Sequence, residues 1–289
     1  MKWIRFSPIA FLFLLACSQP ARKPEVNNGP VQIAYDLAGH GDTALVLVHG
    51  WCINKEYWQS QVDHFKNRYT VVALDLGGHG QSGRNRSEWT IESYANDVLA
   101  VIRALDLKKV ILIGHSMGGD IILQTAQLAP ERVAGFVGID NFKDVLTSIP
   151  EEEQKGIDAF FAAMRNNYDS VATAYSRSSL FPPAYTDTVS VNRVVQDVRN
   201  ADPTMAIATL ESLLQFAMKE TTLLPKLGVP VHLVVSDYTP TNDIAVRYYC
   251  PKGLYIYTVH GTGHYPMIEK PAEFNSQLAA ALQDIALGK

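Results

Sequence analysis

The chain has 289 residues, 47% of them hydrophobic, which is enough apolar material to bury the core of one large globular domain. Its 25 basic and 29 acidic residues leave a formal charge of −4, so no nucleic-acid partner is expected, and neither a P-loop nor a dinucleotide glycine pattern occurs. Three cysteines do not make a disulfide framework and the eight histidines show no metal-ligand spacing, so no metal and no cofactor are expected.

The N-terminus carries its own signal. Lys2 and Arg5 precede the apolar run AFLFLLA, which is too short to span a membrane as a helix but suits the core of a signal peptide. The run stops at Cys17, and Leu14-Leu15-Ala16-Cys17 looks like a bacterial lipobox. The expectation is a signal peptide over 1–16, acylation of Cys17, and a polar, proline-containing tether over 17–30. Such a protein is exported and held at a membrane by its lipid anchor, with the folded domain in the periplasm or outside the cell.

Beyond the tether, strand-like and helical segments alternate. Strands are predicted near 31–36, 44–49, 70–75, 110–114, 133–139, 231–236 and 254–260, and helices near 55–67, 90–106, 117–129 and 270–286. That alternation predicts an α/β class, a mainly parallel sheet covered on both faces, with ligands at the carboxyl ends of the strands. The core is assigned to 31–141 and 229–289. Between them, 142–228 holds no convincing strand. Helical periodicity in Phe160, Phe161, Met164 and Tyr168, and again in Leu210, Leu213, Leu214 and Ala217, predicts an inserted helical cap. The segment SLFPPAYTD at 179–187 cannot be regular helix and is read as the mobile part of this lid.

The most informative stretch is VILIGHSMGG at 110–119. It places Gly114-His115-Ser116-Met117-Gly118 where a strand ends and a helix begins, and G-x-S-x-G at such a junction is a nucleophile elbow. Small residues allow strand and helix to approach, and Ser116 is left pointing out of the sheet. A serine hydroxyl is a poor nucleophile at neutral pH and needs a base, an orienting carboxylate and donors for an oxyanion. His264, in Gly261-Thr262-Gly263-His264-Tyr265-Pro266 after the last strand, is the expected base, with His260 at the strand end as its rival. The expected oxyanion donors are the backbone N–H of Met117, which heads a helix, and that of Trp51 in His49-Gly50-Trp51-Cys52 after an earlier strand.

With these residues in place the chain resembles the α/β-hydrolase superfamily over nearly everything after residue 31. HGW at 49–51, DLGGHGQS at 75–82, GHSMGG at 114–119 and GTGHYPMIEKPAEFN at 261–275 carry the resemblance. It implies an α/β-hydrolase fold with an inserted cap, and architectural roles for Asp75 and His79. The usual position of the acid departs from the family pattern. Many members place it in a turn after the strand that here is 231–235, and that alignment puts Ser236 at the turn glycine and Thr239 at the acid. Three carboxylates remain: Asp140 after the preceding strand, a position some relatives use, Asp237, and Asp243. Asp140 is taken first and Asp237 as the alternative.

The resemblance implies a serine hydrolase acting on a small ester or thioester through an acyl-enzyme. Lactone opening, C–C bond hydrolysis and acyl transfer use the same triad, and a non-catalytic binding module is the alternative of another class.

Overall fold

The computed structural model describes residues 24–183, 185 and 187–289; the expected signal peptide and Cys17 lie outside them. Eight strands form one sheet: β1 (Glu25–Asn28), β2 (Val31–Ala38), β3 (Ala44–Val48), β4 (Thr70–Leu74), β5 (Val110–His115), β6 (Val133–Ile139), β7 (Val231–Ser236) and β8 (Leu254–Val259). Their order across the sheet is β1-β2-β4-β3-β5-β6-β7-β8. The first two pairings are antiparallel and the rest parallel.

Parallel strands need crossover connections, and the helices that supply them cover the sheet. Helix α1 (Gln59–Phe65) packs with the C-terminal α11 (Pro271–Ala286), while α2 (Ile91–Ala104) packs with α3 (Met117–Leu128) over the central strands. Every residue of β3 and β5 is consequently buried, which is why both read as continuous apolar runs. Helix α2 starts where Thr90 and Ser93 close a reciprocal capping box.

Between β6 and β7 lie α4 (Glu151–Asn166), α5 (Tyr168–Ser179), α6 (Thr188–Asn200), α7 (Pro203–Ala217) and the short α8 (Glu220–Leu223). Helix α7 sits on α2 and α3, and α8 on α3, so this insertion rests on the helix that follows the elbow. Met164, Ala172, Val194 and Val198 form its buried interior. After β7 come α9 (Asp243–Tyr248) and, after β8, α10 (Pro266–Glu269). No helix among the described residues is long and apolar enough to cross a membrane.

Two expectations are corrected. Residues 25–28, assigned to the tether, instead pair as β1 with β2, and Asn28 Nδ2 donates to Asp97 Oδ1 at 2.7 Å. The sequence EVNN has no apolar alternation, and its strand is imposed by the hairpin partner. The start of the segment read as mobile is also anchored: Leu180 and Phe181 are buried, and the Phe181 ring stacks on Tyr265 with centroids 5.6 Å apart.

Candidate active site

The elbow follows from two close approaches. A Cβ on Gly114 would lie 2.2 Å from the Gly118 carbonyl oxygen, and one on Gly118 would lie 2.5 Å from that of Val48. Between them Ser116 takes φ 52° and ψ −125°, outside the regions a serine ordinarily occupies, at a cost of about 1–3 kcal/mol. The turn is held by neighbours: Ser116 N donates to the Ile139 carbonyl at 2.9 Å, and Asn141 Nδ2 donates to the Ser116 carbonyl at 2.6 Å. Asp140 (φ 45°) and Phe142 (φ 51°) are also left-handed, so the end of β6 is strained where it meets the elbow.

His264 lies on the loop between β8 and α10, with its side chain mostly buried. Its backbone is fixed on three sides. His264 N donates to the Leu180 carbonyl at 2.9 Å, the His115 Nε2–H donates to the His264 carbonyl at 2.7 Å, and Glu269 accepts from the N–H groups of Gly263 and Tyr265 at 2.6 and 2.7 Å. Its Nδ1–H points at Asp140 Oδ2, 2.6 Å away.

Asp140 is almost fully buried, and β6–β7 pairing sets its position: Asp140 N donates to the Val234 carbonyl at 3.0 Å. Its second oxygen, Oδ1, accepts from Ser236 N at 3.0 Å and Ser236 Oγ at 2.6 Å and lies 2.8 Å from Lys143 Nζ. Burial alone would raise this carboxyl, but the His264 hydrogen bond and charge and the Lys143 ammonium outweigh it and hold the group at about 2.

The other expected carboxylates are not brought to His264. Asp237 accepts instead from His260 Nδ1 and Gly261 N, both at 2.9 Å, on the exposed rim of the loop. The His260 hydrogen bond, opposed by slight burial, holds Asp237 below the usual carboxylate range. Asp243 is exposed in the first turn of α9. Asp75 accepts from the N–H groups of Lys55 and Gln81 at 2.8 and 2.9 Å, and His79 Nδ1 donates to the Gly77 carbonyl at 3.1 Å. Cys52 and Cys250 are buried and free.

Among the described residues no protein acceptor takes the Trp51 or the Met117 backbone N–H, the latter because it opens α3. The Trp51 side chain reaches into the insertion: its Nε1–H donates to the Ala206 carbonyl at 2.9 Å, and its ring meets Tyr175 edge-on at 6.1 Å. Tyr175 in turn lines a cavity of about 460 Å³ between α4, α5 and α7, with Phe160, Phe161, Leu210, Leu213 and Leu214 among its other apolar walls.

Sequence reasoning missed Lys143, Asn141, Ser236 and Glu269. Lys143 stands three residues after Asp140, and that spacing was the one signal that pointed to it.

The arrangement can be set beside known proteins. A family model described as alpha/beta hydrolase fold matches residues 43–271. The chain is 26% identical over 257 residues to a probable esterase, D14L, of Oryza sativa subsp. japonica, spanning 84% of this chain and 93% of that protein. It is 24% identical over 246 residues to karrikin insensitive 2 receptor CA of Petunia hybrida, spanning 81% and 90%. A solved thermophilic esterase from Thermogutta terrifontis has the same fold, with a TM-score of 0.78 at 21% identity over 92% of this chain and 99% of that one.

Proposed function

Since the chain belongs to the α/β-hydrolase family, we propose that it is a serine hydrolase of small carboxylic esters or thioesters, with Ser116, His264 and Asp140 as its triad. The observation that carries this reading is the hydrogen bond from His264 Nδ1 to the buried Asp140 carboxylate, made at the strand ends that also expose Ser116. With Nδ1 protonated by that bond, Nε2 of the same ring is the free base.

In the first half-reaction His264 Nε2 takes the Ser116 Oγ proton as Oγ attacks the substrate carbonyl. The negative charge developing on the carbonyl oxygen is met by the N–H groups of Met117 and Trp51, the former aided by the α3 dipole. Collapse expels the alkoxide or thiolate, which takes the proton from His264. Water then adds to the acyl-enzyme with His264 again as base, releasing the acid and restoring Ser116. Asp140 stays ionised throughout and compensates the imidazolium charge.

The apolar cavity that Tyr175 lines is not lined by Ser116 or His264, and its one tie to the candidate site is the Tyr175 ring against Trp51, so it supports an apolar substrate group only by that proximity. The sequence LLAC at 14–17 supports a lipid anchor on Cys17 and an exported location. A second reading, a ligand-binding module without turnover, draws on the similarity to a protein named as a receptor.

A fluorophosphonate probe separates the two. The esterase reading requires covalent labelling of wild type, its loss in Ser116→Ala and His264→Ala, and a fall of about three to six decades in aryl-ester hydrolysis in both. Hydrolysis that persists in Ser116→Ala sinks it.

A further inference from the structure

The acid of this site carries a partner that the proposed triad does not use. The Lys143 ammonium lies 2.8 Å from Asp140 Oδ1, on the side of the carboxylate away from His264, which binds Oδ2. It is also surrounded by the turn after β7, within 3.0 Å of the Ser236 carbonyl, 3.1 Å of Ser236 Oγ, 2.8 Å of Thr239 Oγ1 and 3.2 Å of the Thr239 carbonyl. The Tyr238 ring closes over it, with its centroid 4.7 Å from Nζ. Ser236 and Thr239 are the residues that alignment put at the turn glycine and at the usual acid. Their oxygens here solvate a cation.

We propose that Lys143 is a positioning residue that holds Asp140 toward His264 and sets the pH at which the base becomes active. The inference rests on the triad reading above. One carboxylate serves two cations, the ammonium permanently and the imidazolium transiently during turnover, and a charge already compensated on one side stabilises a new cation less on the other. The remaining groups facing the pair are Glu269 from α10, the neutral His115 ring 4.8 Å from that of His264, and the phenols of Tyr238 and Tyr265. None of them contacts Asp140 Oδ1. Lys143 is mostly buried, so solvent screens its charge weakly.

The test is the pH dependence of fluorophosphonate acylation, measured on the full chain. Lys143→Gln, which keeps a donor and removes the charge, moves the acid limb of the profile up by about half a unit to one unit, a three- to tenfold slower reaction on that limb. Lys143→Arg keeps the limb within about 0.2 unit of wild type, since the charge remains. A limb that stays in place in Lys143→Gln while the rate falls equally at every pH overturns the proposal, and so does an equal displacement in Lys143→Arg. If Lys143→Gln does not fold, Lys143→Met is judged by the same displacement. Should neither neutral variant fold while Lys143→Arg does, the ammonium is a structural tie and the proposal fails. Absence of labelling in wild type, or labelling that survives Ser116→Ala, defeats the triad reading instead.

Discussion

His264 Nδ1 and Asp140 Oδ2 are 2.6 Å apart although the residues are 124 positions apart in the chain, and Asp237, 27 positions from His264, is turned to His260 instead. The difference comes from depth. Asp140 sits at the buried end of β6, where β7 supplies an acceptor for its N–H and donors for its carboxylate. Asp237 is beyond the end of β7, at the rim.

Asp140→Asn is therefore expected to lower kcat/KM on an aryl ester by about three to four decades, because the amide keeps the shape but loses the countercharge and the tautomer control. Asp237→Asn should cost less than about tenfold. Steady-state kinetics of the two variants beside wild type decide it; a larger loss in Asp237→Asn would contradict the geometry.

Acid lability follows from three buried histidines. Burial lowers His49 to about 4 and His79 and His115 to about 3, so all three are neutral in the folded protein at physiological pH. Unfolded, they protonate near pH 6.5. The stability they permit is complete above that value and is lost as the pH falls toward the folded values, by about 2 kcal/mol per histidine at pH 5. Urea unfolding at pH 8 and pH 5 should show the loss. His79→Asn, whose amide can still donate to the Gly77 carbonyl, should reduce the loss between pH 8 and pH 5 by about 2 kcal/mol.

The elbow and the loop of the candidate base were legible because each is local: a few residues at a strand end, with glycines whose spacing has a steric cause. The acid was only half legible, because choosing Asp140 over Asp237 depends on the Phe136–Val231 register between β6 and β7, which no short stretch encodes. Lys143 and Asn141 follow the acid in sequence, yet their roles required knowing that β7's turn and α3 close over them. β1 was missed because EVNN is polar. The insertion was visible as helical periodicity, but its docking on α3 was not.

That docking brings two carboxyls together. Asp120 in the first turn of α3 and Glu220 of α8 are both buried and interact with each other, and Asn141 Nδ2 donates to Asp120 Oδ2 at 3.0 Å. Burial first, and their mutual charge for Glu220, raise these groups above the usual carboxylate range, so the pair shares a proton. A raised carboxyl stabilises the fold below its unfolded pKa, near 4.5, and loses that contribution as the pH rises toward the folded value. Glu220→Gln supplies a permanent donor, and should add about 1–3 kcal/mol at pH 8 and little at pH 5. Thermal unfolding at both pH values tests this, and destabilisation equal at the two would show that no proton is shared.

For the anchor, Cys17→Ser should release the protein from the membrane fraction or leave it unprocessed, with the specific activity of the folded domain unchanged. Mass spectrometry of the mature wild type that finds Cys17 unmodified would refute the lipoprotein assignment.

The hydrogen bond from His264 N to the Leu180 carbonyl joins the loop of the base to the chain leaving α5, and a Cβ on Gly263 would lie 2.7 Å from that same oxygen. The insertion and the loop of His264 are thus directly tied. A displacement of the α5 end would therefore be felt directly by the backbone that positions His264.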